Sequence, residues 1–575
     1  MSTGAELANP LPSAGAQHSG LPGSATVLAF DLEFGESLAR ALSATDRFTA
    51  QALRLAAGSL GAAGAGVVIL APGEGGADDR PRRLADLGNA LAACREQEID
   101  QVILVSSGAL YGVNHHAIGF ESEGRRKPTN RLNRDACWWQ AVEHAFEEAG
   151  MAERGLVLRV PLLPCAGASH FIGRMIKRGL LIRYLGFNPP LQFLSISSLA
   201  QAIAEAAHRR LSGAYHVAPD DVVPLLSVLR CKGVRSIAVP RLLQRILRPL
   251  LFRYVDGVET TDQLDYLRYP WTLSGEKFAR ETGLRFSSRA ALAEIDTENS
   301  PESKLNSQAG LPEFDRFGSD PSFYQRHGKS TFRFAEEIYW RIESRGFEHL
   351  PRSGAAIIVG PHRGFMPLDG VMMFHLIYRY TGRIVRFLIH PTLAKFPFEG
   401  RFFQQMACVM ACKTNAERVL HEGNILGVYP EGIAGAFKMY REAYNFEVFG
   451  RPDYARWALK HDVPVIPFAI VGSAEIFPIL GRLEWRWLKE WMEWPFFPIT
   501  ATFPFIPLPL PTKWHVQFLP PINPKDVKAE AERLEKDPVA VFVEMVRVAV
   551  DSATQEMLCR RRSVFFGNIW DASKG

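Results

Sequence analysis

Gly360-Pro361-His362-Arg363-Gly364-Phe365-Met366-Pro367-Leu368-Asp369-Gly370 follows the apolar run Ala355-Ala356-Ile357-Ile358-Val359, and Tyr429-Pro430-Glu431-Gly432 follows Gly427-Val428 further along the chain. Each reads as a short buried strand that breaks into a Gly- and Pro-rich turn carrying polar side chains. A residue in such a turn is well placed to meet a ligand. Chemistry is therefore expected in the second half of the chain, on an α/β scaffold. Tyr339-Trp340-Arg341-Ile342-Glu343 reads as another strand, turned at Pro351. Val463-Pro464-Val465-Ile466-Pro467-Phe468-Ala469 reads as a buried strand whose prolines suggest a sheet edge or strand terminus.

Working outward from that centre, residues 25–295 alternate short β-branched runs with helical stretches, the rhythm of a parallel sheet covered by helices. Val67-Val68-Ile69-Leu70 and Val102-Ile103-Leu104-Val105 are its clearest strands, with a helix predicted from Leu84 to Arg95. The segment before Val67 looks short for two complete βα units. Residues 296–330, rich in Ser, Pro, Asn, Asp and Glu, read as a linker. A catalytic domain is expected over 331–555, with tails at 1–24 and 556–575.

The composition bounds the function. At 575 residues, 47% hydrophobic and 22% charged, the chain suits two globular domains. A net charge of +5 is too small for a nucleic-acid footprint. The seven cysteines are scattered and odd in number, which argues against a disulfide framework and for a reducing, cytoplasmic setting. Cys408 and Cys412 have no partners at metal-ligand spacing and read as packing residues, so no metal is expected. The first two dozen residues lack the order of a secretory signal. No uninterrupted apolar run is long enough to span a bilayer as a helix.

Val105-Ser106-Ser107-Gly108-Ala109-Leu110-Tyr111-Gly112, Gly213-Ala214-Tyr215-His216-Val217-Ala218 and Thr282-Gly283-Leu284-Arg285-Phe286 resemble the extended short-chain dehydrogenases, the NAD-dependent epimerase/dehydratase group. The resemblance implies a Rossmann-like domain. Its cofactor chemistry does not carry over. In Val27-Leu28-Ala29-Phe30-Asp31-Leu32-Glu33-Phe34-Gly35 only Gly35 remains of the three glycines that let a backbone approach a pyrophosphate. Ala29 and Leu32 would obstruct that approach, and Asp31 and Glu33 would repel the diphosphate. Leu132 and Ala136 stand where the family's Tyr and Lys should fall. Ser106 and Tyr111 survive, and a strand-end serine serves equally well as a cap. The first domain is read as degenerate, with no bound cofactor.

The second half resembles the glycerolipid and lysophospholipid acyltransferases, whose signature is a His, four intervening residues and an Asp. The resemblance implies that His362 is the general base on an acceptor hydroxyl and that Asp369 orients it. Here six residues separate the pair, with Pro367 at the usual Asp position. Tyr429-Pro430-Glu431-Gly432 matches the family's aromatic-Pro-Glu-Gly turn, which implies an acceptor-binding role for Glu431 and Gly432. Met410-Ala411-Cys412-Lys413-Thr414-Asn415 lies where the family often has an arginine; Lys413 keeps the charge without the bidentate fork. Ile433-Ala434 replaces the common Thr-Arg, and Lys438 and Arg441 are candidate replacement cations. The implied donor is acyl-CoA or an acyl carrier protein, and the acceptor a lysophospholipid, an acylglycerol or another long-chain alcohol.

Two segments suit a membrane surface. Trp485, Trp487, Trp491 and Trp494, followed by Phe496, Phe497, Phe503 and Phe505, suit the headgroup boundary or an acyl-chain pocket. Arg241-Leu242-Leu243-Gln244-Arg245-Ile246-Leu247-Arg248-Pro249-Leu250-Leu251-Phe252-Arg253 suits either a basic interfacial helix or one packed on the first domain. A peripheral protein on the inner face of the membrane is the expectation. Two rival readings stand: an oxidoreductase working through the first domain, and a lipid-binding scaffold without catalysis.

Overall fold

The computed structural model describes residues 23–55, 66–73, 77–117, 119–124, 134–151, 155–164, 171–240, 243, 263–293, 314–364, 366–446, 449–501 and 508–570. Two sheets organise them. The first has six parallel strands in the order Phe48–Arg54, Gly23–Ala29, Val67–Ala71, Gln101–Ser107, Gly155–Val160, Gly213–His216. Its central strands are apolar on both faces because helices cover both. Val68, Leu70 and Leu104 face one core with Leu87 and Trp138, whereas Ile69, Ala71 and Ile103 face another with Leu38 and Ile203. This is the doubly wound, Rossmann-like arrangement, in which ligands bind beyond the carboxyl ends of the strands.

The short segment before Val67 has a structural counterpart. One helix, Leu32–Ser43, and one strand, Phe48–Arg54, separate the first strand from Val67. Among the described residues the sheet therefore lacks the outermost strand that a complete mononucleotide-binding half would place beyond Phe48–Arg54. The predicted helix spans Arg80–Glu96, beginning a turn earlier than its apolar pattern because Pro81 is favoured in a first helical turn.

The second sheet has seven strands in the order Glu343–Arg345, His515–Phe518, Val465–Val471, Ala356–Val359, Ile425–Val428, Val385–Ile389, Val409–Met410. Val465–Val471 lies inside the sheet, not at the edge that its prolines allowed, and Pro464 stands at the strand's terminus, just before Val465. Pro467 is accommodated because it pairs with Val359 at the last register of the ladder with Ala356–Val359. The strand expected over Tyr339–Glu343 is also corrected. Ala335–Tyr339 is π-helical, and extended structure begins only at Glu343. Trp340 faces inward, stacked on Trp514 with ring centres 4.6 Å apart.

Part of the stretch read as linker is ordered: Pro321–His327 is a helix, and Asp315 pairs with Arg386 at 2.5 Å. The helix Pro538–Arg560 continues past 555, and Arg561 beyond it pairs with buried Glu475 at 2.6 Å. The two halves touch directly. The Phe398 N–H donates to the Gly186 carbonyl at 2.9 Å, and the Arg418 guanidinium lies 3.6 Å from the centre of the Phe120 ring. Most of residues 1–24, the Arg241–Arg253 segment apart from Leu243, and Leu132, Phe503 and Phe505 lie outside the described residues.

Candidate active site

Ala356–Val359 and Ile425–Val428 are adjacent parallel strands, with Val359 opposite Val428. Both motif turns therefore emerge side by side at the carboxyl ends of two internal strands. Gly360 lets the first strand end against the Phe468 ring, since a Cβ there would lie 2.4 Å from that ring. Gly364, at φ +91°, reverses the chain so that Asp369, in the first turn of the helix Leu368–Thr381, returns to His362. The lengthened spacing is thus absorbed by the turn.

His362 Nδ1 and Asp369 Oδ2 are 2.7 Å apart. The carboxylate is completely buried and accepts two further hydrogen bonds, from the N–H of Arg363 at 2.9 Å and of Gly370 at 2.7 Å. An ionised carboxylate can only accept, so the Nδ1 proton lies between the two groups and Nε2 keeps its lone pair. Tyr429 stacks on the imidazole with ring centres 4.7 Å apart. Burial, with contributions from Asp369 and Cys408, pushes the Tyr429 hydroxyl well above its ordinary value. It therefore holds the imidazole plane as a neutral phenol.

The imidazole opens on a cavity of about 880 Å³, counting its mouth. Val371, Phe374, Phe387, Leu393, Phe403 and Met406 make much of its wall, and Trp494 and Gly432 also line it. Glu431 is placed differently from its acceptor-binding expectation. Its carboxylate is buried between Arg363 Nη1 and Lys438 Nζ, so both oxygens are engaged within the protein. Lys438 also donates to the Asn445 carbonyl at 2.6 Å. Lys413, at the start of the helix Lys413–His421, and Arg441 are exposed, and neither lines the cavity. Arg363 was not singled out from sequence, where its only signal was a cation next to His362 in the same turn. It is 1% exposed and ties the two motif turns together through Glu431.

In the first domain, Ser106 and Ser107 border a cavity of about 430 Å³ with Gly73, Trp139 and Pro161, and the polar groups behind them are engaged with one another. Arg159 makes paired hydrogen bonds of 2.9 and 2.8 Å to Glu143, which also accepts from Ser106 at 2.7 Å. Arg159 donates to the Tyr111 hydroxyl at 2.8 Å, and Tyr111 lies 2.8 Å from His216 Nε2. Burial first, then Arg159, depresses His216 to about 3, whereas burial raises Tyr111 to about 12 against the opposing pull of Arg159. At the cofactor turn, Asp31 caps the Leu32–Ser43 helix by accepting from the Phe34 N–H at 3.1 Å. Gly35 faces the Ala29 side chain, with a substituted Cβ only 3.1 Å from it. The surviving glycine thus serves helix-to-strand packing. Ala136 is buried in the helix Arg134–Glu148.

The acyltransferase family profile matches residues 341–471, which contain both motif turns. A Mycobacterium tuberculosis protein of uncharacterized function is 33% identical over 261 residues, covering 44% of this chain and 72% of that relative. The chain belongs to the acyltransferase family. This acyltransferase is also 27% identical over 208 residues to a Bos taurus protein named as a DGAT1/2-independent enzyme synthesizing storage lipids, covering 36% of this chain and 60% of the bovine one. Among solved structures, a dTDP-4-dehydrorhamnose reductase from Clostridium acetobutylicum aligns at 11% identity and TM-score 0.36, covering 47% of this chain and 98% of the reductase. A UDP-N-acetylglucosamine 4-epimerase from Bacillus cereus aligns at 10% identity and TM-score 0.35, covering 51% and 98%. The strand order itself establishes the Rossmann-like arrangement of the first half.

Proposed function

We propose that this acyltransferase moves a fatty acyl group from a thioester, acyl-CoA or acyl carrier protein, to the hydroxyl of an uncharged acylglycerol or comparable long-chain alcohol. The reading rests on one observation: an imidazole anchored on a buried carboxylate, with Nε2 free, at the wall of an apolar cavity. Nε2 takes the acceptor's hydroxyl proton as its oxygen attacks the thioester carbonyl. The tetrahedral intermediate then expels the thiolate, which recovers the proton from the imidazolium. Asp369 stabilises the imidazolium between these steps. No metal or redox cofactor is needed for this proton balance.

An uncharged acceptor is favoured because no Lys or Arg is among the described residues lining the cavity. Of the candidate replacement cations, Lys438 is already shared with Glu431. The bovine relative's name, with its reference to storage lipids, accords with such an acceptor. The protein is placed peripherally on a membrane; contact with a bilayer surface is supported by Trp485, Trp487 and Trp491, which are 56%, 63% and 54% exposed around the helix Arg486–Met492. No described helix is long and apolar enough to cross a membrane. Incubation with labelled acyl-CoA and a panel of monoacylglycerols, diacylglycerols and lysophospholipids, with products identified by mass, tests the reading. Exclusive acylation of the phosphorylated acceptors would overturn the neutral assignment.

A further inference from the structure

A second cavity, of about 710 Å³ counting its open mouth, lies between the two domains. The first domain contributes Phe120, Phe187, Pro189 and Pro270 to it, and the acyltransferase domain contributes Ala394 and Met410. Ile389 and Cys408 line both this cavity and the one beside His362. Those two side chains are therefore a shared partition, formed where the strand Val385–Ile389 ends and just before Val409–Met410 begins. Burial pushes the Cys408 thiol up to about 12, so it stays a small neutral wall group.

We infer that the two cavities act as one acyl-chain tunnel, in which a long chain passes from His362 between Ile389 and Cys408 and ends against the first domain. The degenerate domain then has a use that requires no nucleotide: it closes the distal end of a chain-binding site and selects chain length. The inference rests on the acyl-transfer reading above. The interface is suited to a fixed wall. Arg268 is clasped among aromatic rings, 5.1 Å from the centre of Phe187 and 4.6 Å from that of Tyr269, and Arg418 packs on Phe120 and Phe317. The second cavity is not wholly apolar: Asn188, Arg268, Arg401, Gln404 and Asn415 also line it. Gln404 Nε2 and Arg268 Nε are buried without a hydrogen-bond partner, donors that water in the cavity can satisfy.

The test uses the intact chain and acyl-CoA analogues bearing a diazirine at the chain terminus, one of roughly 10 carbons and one of roughly 22, lengths that separate one pocket from two. After photolysis, the long probe should label first-domain peptides containing Phe120, Phe187 or Pro270, and the short probe only peptides from the acyltransferase domain. Cys408→Phe, which thickens the partition, should lower the long-to-short ratio of kcat/KM at least tenfold, since each methylene kept from burial forgoes about fourfold. Long-probe labelling confined to the acyltransferase domain in a protein that does transfer acyl groups overturns the tunnel alone. Absence of transfer from every donor overturns the acyl-transfer reading and the tunnel with it. Labelling of the native protein decides the matter even where Cys408→Phe fails to fold.

Discussion

Replacing Asp369 with Asn isolates the contribution of the carboxylate to the proposed proton transfer. When His362 becomes an imidazolium, its partner charge lies roughly 4 Å away between charge centres, and at an effective dielectric near 20 that attraction is about 4 kcal/mol. Its loss corresponds to about 10³-fold in rate. A tautomer effect adds to this. Where the Asn amide nitrogen takes the Oδ2 position, it loses the Arg363 N–H bond, donates toward Nδ1 and shifts the imidazole proton to Nε2. Nε2 would then have no lone pair for the acceptor hydroxyl. The assay is single-turnover release of CoA in the presence of a saturating acceptor, beside circular dichroism to confirm folding. Asp369→Asn and His362→Ala should each lose about 10³-fold or more, and the double variant little more than the worse single, because the two act as a unit. A folded Asp369→Asn protein within tenfold of the parent would refute the assignment.

Glu431→Gln should destabilise the acyltransferase domain by roughly 3–5 kcal/mol, because it leaves the Arg363 guanidinium buried and unpaired; adding Arg363→Met should recover part of the loss in chemical denaturation. Equal stability of parent and Glu431→Gln would show that the link between the motif turns is energetically idle. His216, depressed from 6.5 to about 3, binds its proton more readily in the unfolded chain, so its contribution favours folding above about 6.5 and turns unfavourable as pH falls toward about 3. His216→Gln should flatten the acid slope of first-domain stability, and an unchanged slope would contradict this linkage. Combined Ala replacement of Trp485, Trp487 and Trp491 should reduce co-flotation with anionic vesicles at least tenfold; undiminished flotation would place the membrane contact elsewhere.

The sequence by itself determined the α/β class, the strands at Val67 and Val102, the shortened first βα region and the catalytic candidates His362 and Asp369. These are local signals: apolar runs of strand length, lost glycines, and a His and an Asp within one turn-forming segment. Only the tertiary structure decided that the six-residue spacing still closes on a 2.7 Å contact, because that depends on Gly364 at φ +91° and on where the next helix starts. It also decided that Glu431 is held by Arg363 and Lys438, whereas Lys413 and Arg441 stand away from the cavity. The position of Pro467 inside the sheet and the cavity shared between the domains belong to the same class. Charge pairing, strand neighbours and cavity walls join residues far apart in the chain, and no local pattern records which of those residues will meet.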